Sequence, residues 1–311
     1  MPKPKQIFPD TDKRCLNEHT VTWRYVPLRT LFFYLNGLIF IPSVTKLSAG
    51  DPFEGNFYED IAWFNDAFSK HYRNQAHMIE DWIFKKSCSE QVQKTIEINR
   101  RSPNGSNFAA QTLRTHYLDF IRQTRFAWCW FSSNHESAAM WSVYGKQGVA
   151  VKTTVGKLNA LFEKTGLDFI YGQMTYVDYQ SGVSTDFDPL RESDYHLLLR
   201  PFFLKRKEYE SEHEVRYVTA GYNYDERGGI LLKDITPQDW ISAIRLWPRL
   251  TSDEEHSLRK AIEQFLPNAD CHKSDLFSSH FSLSDMLSIE SAADSNWTQR
   301  QDGIPAPLKT L

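Results

Sequence analysis

The segment TVTWRYVPLRTLFFYLNGLIFIP, residues 20–42, restricts the fold most, because its periodicity changes twice within a few residues. Thr20–Val26 is dense in β-branched and aromatic side chains, as a strand requires. Pro27 suits the first turn of a helix, where its missing N–H has no intrahelical partner to lose. Leu28, Leu31, Phe32 and Leu35 then follow at the i, i+3, i+4, i+7 spacing of one helical face. Asn36-Gly37 supplies a left-handed stop. The unit reads strand, helix, glycine, strand. Its apolar run carries Arg29 and is split by Asn36-Gly37, so it falls short of the roughly 20 residues that a membrane span needs.

Further strands are expected at 126–133, 148–154, 169–178, 213–220, 229–234 and 243–247, and helices at 136–145, 155–166 and 252–266. Hairpin-like neighbours mixed with helices predict an α+β fold on a mixed, largely antiparallel sheet. Residues 58–125 read as an all-helical insertion, with Trp63, Trp82, Leu113, Tyr117, Phe120 and Ile121 on apolar faces and SPNGS as a break. One α+β domain over 1–280 is thus expected, followed by a polar, turn-rich tail at 281–311.

With 36 basic and 39 acidic residues, the chain is too balanced for duplex binding driven by phosphate neutralisation. The leader MPKPKQIFPD has no apolar core of the secretory kind, which gives the expectation of a cytoplasmic protein away from membranes. Cys15, Cys88, Cys129 and Cys271 lack the close spacing of zinc or redox pairs, and no HExxH occurs, so no metal is expected.

The stretch YESEHEVRYVT concentrates the chemistry. In a strand through 212–218, Glu212, Glu214 and Arg216 share one face, and His213, Val215 and Tyr217 share the other, more apolar one. The bland reading is a solvated sheet surface, with ion pairs contributing at most about 1 kcal/mol. The sharper one is a pair of carboxylates that orients a ribose hydroxyl and stabilises positive charge in a transition state. Lys205 and Arg206, just upstream, are candidate phosphate contacts. Arg24 is either an edge-strand charge or a clamp on a diphosphate or carboxylate. Trp141 and Tyr144, three apart, pack in the core unless Tyr144 with Gly145 forms a stacking platform. His135 and Glu136 form an acid/base pair only if a third group orients them. Ser132-Ser133 lacks the GxSxG context, and no P-loop or GxGxxG occurs, which disfavours nucleotide kinases and Rossmann dehydrogenases.

The blocks WRY, GLIFIPSVTKLSAGDPFEG, CWFSSNHESAAMWSVYGKQGVAVKTT and FLKRKEYESEHEVRY occur in this order over residues 20–265. Together they resemble a widespread bacterial family catalogued only as a domain of unknown function. More distantly, a basic residue on a first strand, a helix and short strand after it, and a late E-x-E entering a strand are similar to the layout of ADP-ribosyltransferases. That resemblance implies a split sheet and NAD as substrate. It implies Arg24 or Tyr25 as a contact to NAD, Glu214 as the catalytic carboxylate and Glu212 as the group that places the acceptor; with the stacking platform read from the residues, Arg24, Tyr25, Trp141 and Tyr144 are the candidate cofactor contacts. It also implies a toxin or antiphage effector that modifies a nucleic acid or protein and has a neutralising or regulatory protein partner. Two other readings stay open. One is a metal-dependent nuclease or phosphodiesterase using Asp51, Glu54, Glu212 and Glu214; the other is a non-enzymatic sensing module with a pocket of Trp130, Trp141 and Tyr144. The decisive geometry is whether Arg24, Tyr144 and Glu214 line one cleft.

Overall fold

The computed structural model describes residues 3–7, 14–48, 50–51, 54–55, 121–178, 199–221 and 228–277, together with residues 90, 94, 97, 98 and 101. Most of the expected insertion at 58–125, Cys88 and the tail at 281–311 lie outside the described residues. The chain divides into two units, Met1–Lys273 and Ser274–Leu311. No helix of the described residues is long and apolar enough to cross a membrane.

The first unit is mixed α/β around an open eight-stranded sheet. In chain order its elements are β1 (Lys5–Gln6), β2 (Val21–Pro27), α1 (Leu28–Leu35), β3 (Ile39–Pro42), α2 (Val44–Leu47), β4 (Arg125–Ser132), α3 (Ala138–Val143), β5 (Gly148–Thr154), α4 (Val155–Thr165), β6 (Phe169–Gln173), β7 (Thr175–Val177), β8 (Leu204–Arg206), β9 (Glu214–Ala220), β10 (Gly229–Leu232), α5 (Pro237–Trp240), β11 (Ala243–Leu246), α6 (Ser252–Glu263) and β12 (Asp270–Lys273). The sheet order is β1-β6-β9-β4-β2-β5-β11-β12. Its inner strands pair antiparallel, and the edge strands β1 and β12 pair parallel with β6 and β11.

The opening unit folds as its periodicity requires. α1 buries Leu31, Tyr34 and Leu35 and ends at Gly37, whose φ of 74° and whose Cβ position, 2.9 Å from the Ile235 carbonyl oxygen, both demand glycine. Pro27 differs from its expected place. It closes β2 opposite Gly148, and the helix begins only at Leu28.

Strand alternation sorts β4 into two faces. Trp128 and Trp130 pack with Tyr34, Val151, Phe162 and Trp240 in the main core. Phe131 joins Trp23, Tyr25, Trp141 and Ala150 in a smaller cluster on the opposite side. Both faces of the sheet centre are therefore covered.

Around the charged stretch the structure departs from the expected strand. Lys207–Glu212 form a 3₁₀ turn, His213 is left-handed with φ 38°, and β9 starts only at Glu214. The reason is local: KEYESE is charged and lacks β-branched residues, so pairing with β4 and β6 begins where VRYVT supplies them. Likewise 169–178 is two strands, parted at Met174, whose N–H donates to the Glu214 carbonyl at 2.8 Å. β1, β8, β12, α2 and α5 were not anticipated.

Candidate functional site

A cleft of about 370 Å³ opens on the face of the sheet that carries the smaller aromatic cluster. Glu214 and Arg216 on β9 form its floor beside Cys129 and Phe131 on β4; their side chains share one face because the register pairs Arg216 with Cys129 and Glu214 with Phe131.

Arg216 is 1% exposed and fully engaged. Its Nε donates to Glu214 Oε1 at 2.8 Å, its Nη1 to the Phe202 carbonyl at 2.8 Å, and its two terminal nitrogens grip both oxygens of Glu54. Lys205 Nζ donates to Glu214 Oε2 at 3.0 Å and to Glu212 Oε2, and sits 4.9 Å from the Tyr209 ring centroid. The Tyr144 hydroxyl donates to Glu212 Oε1 at 2.8 Å. Arg206 lies 3.1 Å from Asp51. The bland reading of a solvated charged face is thus corrected: Glu54, Glu214 and Arg216 are buried and mutually satisfied, as charges taken out of water must be.

The electrostatics follow from this packing. Burial alone would raise the Glu214 carboxyl, but the Arg216 and Lys205 charges outweigh it and hold the group at about 2. Burial pulls the Lys205 ammonium down, and Glu214 and Glu212 more than reverse that. Burial and the Glu212 carboxylate both push the Tyr144 phenol up. Cys129 rises through burial and the nearby Glu214 charge, so its thiol stays protonated at neutral pH.

Of the residues singled out from sequence, Arg24, Tyr25, Tyr144, Glu212 and Glu214 line this one cleft. Trp141 does not line it. It is fully buried, donates its indole N–H to Glu136 at 2.9 Å and meets the Tyr25 ring edge-on at 5.1 Å, so it supports Tyr25 from behind. Tyr25 itself accepts the Ser137 N–H at 2.7 Å, pinning α3 to β2. Arg24 points to the other face of β2. Its Nε donates to the Tyr34 hydroxyl at 3.1 Å, its Nη1 donates to the Cys129 carbonyl, and its guanidinium lies over Trp128. It reaches the cleft because β2 and β4 pair only at Thr22 with Ser132 and Trp23 with Phe131; where they part, Arg24 bridges them. Among the described residues no carboxylate pairs with it.

Lys205 and Arg206, read as phosphate contacts, are instead committed to Glu212, Glu214 and Asp51. His135 is exposed and Glu136 turns to Trp141, so the two form no dyad. The roles of Tyr176 and Tyr209 carried no sequence signal. Cys129 did carry one: in FAWCWFSS the alternation places it with Phe131, opposite the two tryptophans.

Comparison with family models, curated proteins and solved structures returned no match to this chain. The chemistry of the site therefore follows from its own groups. Four cations, Arg24, Lys46, Lys205 and Arg216, and four carboxylates, Asp51, Glu54, Glu212 and Glu214, line the cleft. Because Glu54, Glu212 and Glu214 pair with Lys205 and Arg216, the cations of the lining that no described carboxylate holds are Arg24 and Lys46. Among the described residues no group of three or more His, Cys, Asp or Glu side chains is placed to hold a metal ion. The carboxylates of the nuclease reading do share the cleft, but Glu54, Glu212 and Glu214 each face a cation of the chain itself.

Proposed function

We propose that the cleft binds NAD and that the protein is a transferase of the ADP-ribosyltransferase type, belonging to the family of unknown function that its sequence blocks resemble. The observation that carries this reading is the meeting of Arg24, Tyr144, Glu212 and Glu214 on one cleft, although the first and last lie 190 residues apart in sequence. The volume falls within the roughly 300–1,000 Å³ of small-molecule sites, and the short β2–β4 pairing supports a split-sheet arrangement.

NAD supplies a C–N glycosidic bond whose electron pair leaves with nicotinamide. In this reading Glu214 holds the ribose hydroxyls and stabilises positive charge at the ribosyl carbon. Tyr25 and the half-exposed ring of Tyr144 supply apolar walls that exclude water. Arg24, which reaches the cleft where β2 and β4 part, contacts the diphosphate. Glu212, nearer the mouth with 14% of its side chain exposed, receives the proton of the acceptor hydroxyl or amine as that acceptor bonds to the ribosyl carbon. A nucleic acid or protein acceptor, a toxin or antiphage role, a regulatory protein partner and a cytoplasmic location belong to this reading. One observation favours a second reading, a sensing module that binds without turnover: both Glu214 oxygens are already paired with cations.

The test incubates purified protein with labelled NAD and cell extract. Label transfer or nicotinamide release that Glu214→Gln abolishes supports the transferase. Binding without turnover, unchanged in Glu214→Gln, supports the sensor and sinks the first reading.

A further inference from the structure

We infer that Lys205 is the positioning residue of this cleft: by binding Glu212 and Glu214 at once, its ammonium group sets the two carboxylates side by side. This rests on the transferase reading and deepens it.

Among the described residues, only Lys205 bonds to both carboxylates. Arg216 touches Glu214 alone and is otherwise committed to Glu54 and Phe202; Tyr144 touches Glu212 alone. The backbone supports the same role. β8 pairs in parallel with β7, placing Lys205 opposite Tyr176, and the Tyr176 hydroxyl accepts the Glu214 N–H at 2.7 Å. One short strand pair thus fixes Glu214 twice, through its backbone by Tyr176 and through its carboxylate by Lys205. Glu212 arrives separately, at the end of a 3₁₀ turn behind a left-handed residue, so the strand's alternation does not set its distance from Glu214. Lys205 sets it.

Two carboxylates held by one nitrogen repel each other in a poorly solvated cleft, and without a cation between them one takes up a proton. The other groups facing Glu214 are Arg216 from β9, the Cys129 thiol from β4 and the Tyr176 hydroxyl from β7; Tyr144, at the C-cap of α3, faces Glu212. Arg216 compensates Glu54 as well as Glu214, which leaves Lys205 as the cation of the pair.

The experiment compares the wild type, Lys205→Met and Lys205→Arg as full chains. It measures nicotinamide release across the acid range and, independently of NAD, titrates ¹³C-labelled glutamate carboxylates by NMR, with Glu214 assigned through Glu214→Gln. In Lys205→Met, release at neutral pH is expected to fall about tenfold or more, and both the acid limb and the Glu214 titration to move up by about one pH unit or more. Lys205→Arg, whose fork offers two parallel donors, is expected to restore most of both. Faster release in Lys205→Met, as a latch would give, overturns the inference, as does an unmoved Glu214 titration. If the wild type releases no nicotinamide, the transferase reading fails and the titration alone decides the role of Lys205. If Lys205→Met does not fold, Lys205→Gln, uncharged but still a donor, takes its place with the same expected and overturning results.

Discussion

Arg216 grips Glu54 with both terminal nitrogens across 162 residues of chain, although each side chain is at most 3% exposed. A buried charge with no partner costs far more than the pair returns, so such a contact acts by punishing its own disruption. Arg216→Met, which strands Glu54 and weakens the hold on Glu214, is expected to destabilise the fold by about 3–5 kcal/mol. Urea denaturation measures this through the midpoint. Replacing both partners, as Arg216→Met with Glu54→Met, is expected to recover a large part of the loss. An unchanged midpoint in the single variant would show that the grip contributes nothing to stability.

Tyr144 presents a different balance. Its hydroxyl donates to a carboxylate, yet the residue is 45% exposed, so the bond contributes little to folding. Tyr144→Phe is expected to change stability by less than about 1 kcal/mol. If the cleft turns over NAD as proposed, nicotinamide release is expected to fall about tenfold through loss of the hydroxyl that steadies Glu212, and Tyr144→Ala to lose more because the ring goes as well. Paired thermal melts and rate measurements check this; a large drop in melting temperature for the Phe variant would make Tyr144 a structural residue instead.

Glu214 is held near 2 in the folded chain, against an ordinary value of 4.5. A depressed carboxyl contributes stability that is complete above its unfolded value and disappears as pH falls through its folded one. Stability on the order of 3 kcal/mol is therefore expected to be lost between about pH 5 and pH 2. Asp270 and Glu254 are lowered too, but both sit at exposed positions where solvent screens their contribution. Denaturation midpoints across this window should fall steeply for the wild type and more gently for Glu214→Gln. Equal slopes would remove Glu214 as the source.

The parts of the fold that sequence revealed are those in which one strong periodicity runs long enough to be read. Residues 21–35, β4, β5 and α4 were anticipated within a few residues, because dense β-branched or i, i+4 patterns leave little choice. Strands such as β8 and β12 are too short to carry a period, and they exist because neighbours pair with them. In the site, Glu214 and Arg216 were readable as a shared face, whereas the grip of Arg216 on Glu54 was not: no local pattern records a contact across 162 positions. Glu212 shows the intermediate case. Alternation placed it beside Glu214, and the chain brings it there by a 3₁₀ turn and a lysine.

Gly145 tests how the aromatic wall is held. It follows Tyr144 at the end of α3, and a Cβ there would lie 2.4 Å from the Trp141 ring and 3.1 Å from that of Tyr25. Trp141 is fully buried and tied to Glu136, so it has nowhere to move without disturbing Tyr25, whose hydroxyl anchors the start of α3. Gly145→Ala therefore overpacks both supports of the wall, and about 1–3 kcal/mol of destabilisation is expected. The effect should pass to the cleft, because Tyr25 and Tyr144 both line it: if the cleft binds NAD as proposed, NAD affinity measured by calorimetry is expected to weaken even where the variant is fully folded. Adding Trp141→Phe should relieve the clash, since the smaller ring frees space beside the new methyl group, and should recover part of the stability. If Gly145→Ala melts like the wild type, the ring of Trp141 is free to yield, and the wall is not fixed by the packing of Trp141 against Tyr25 and Gly145.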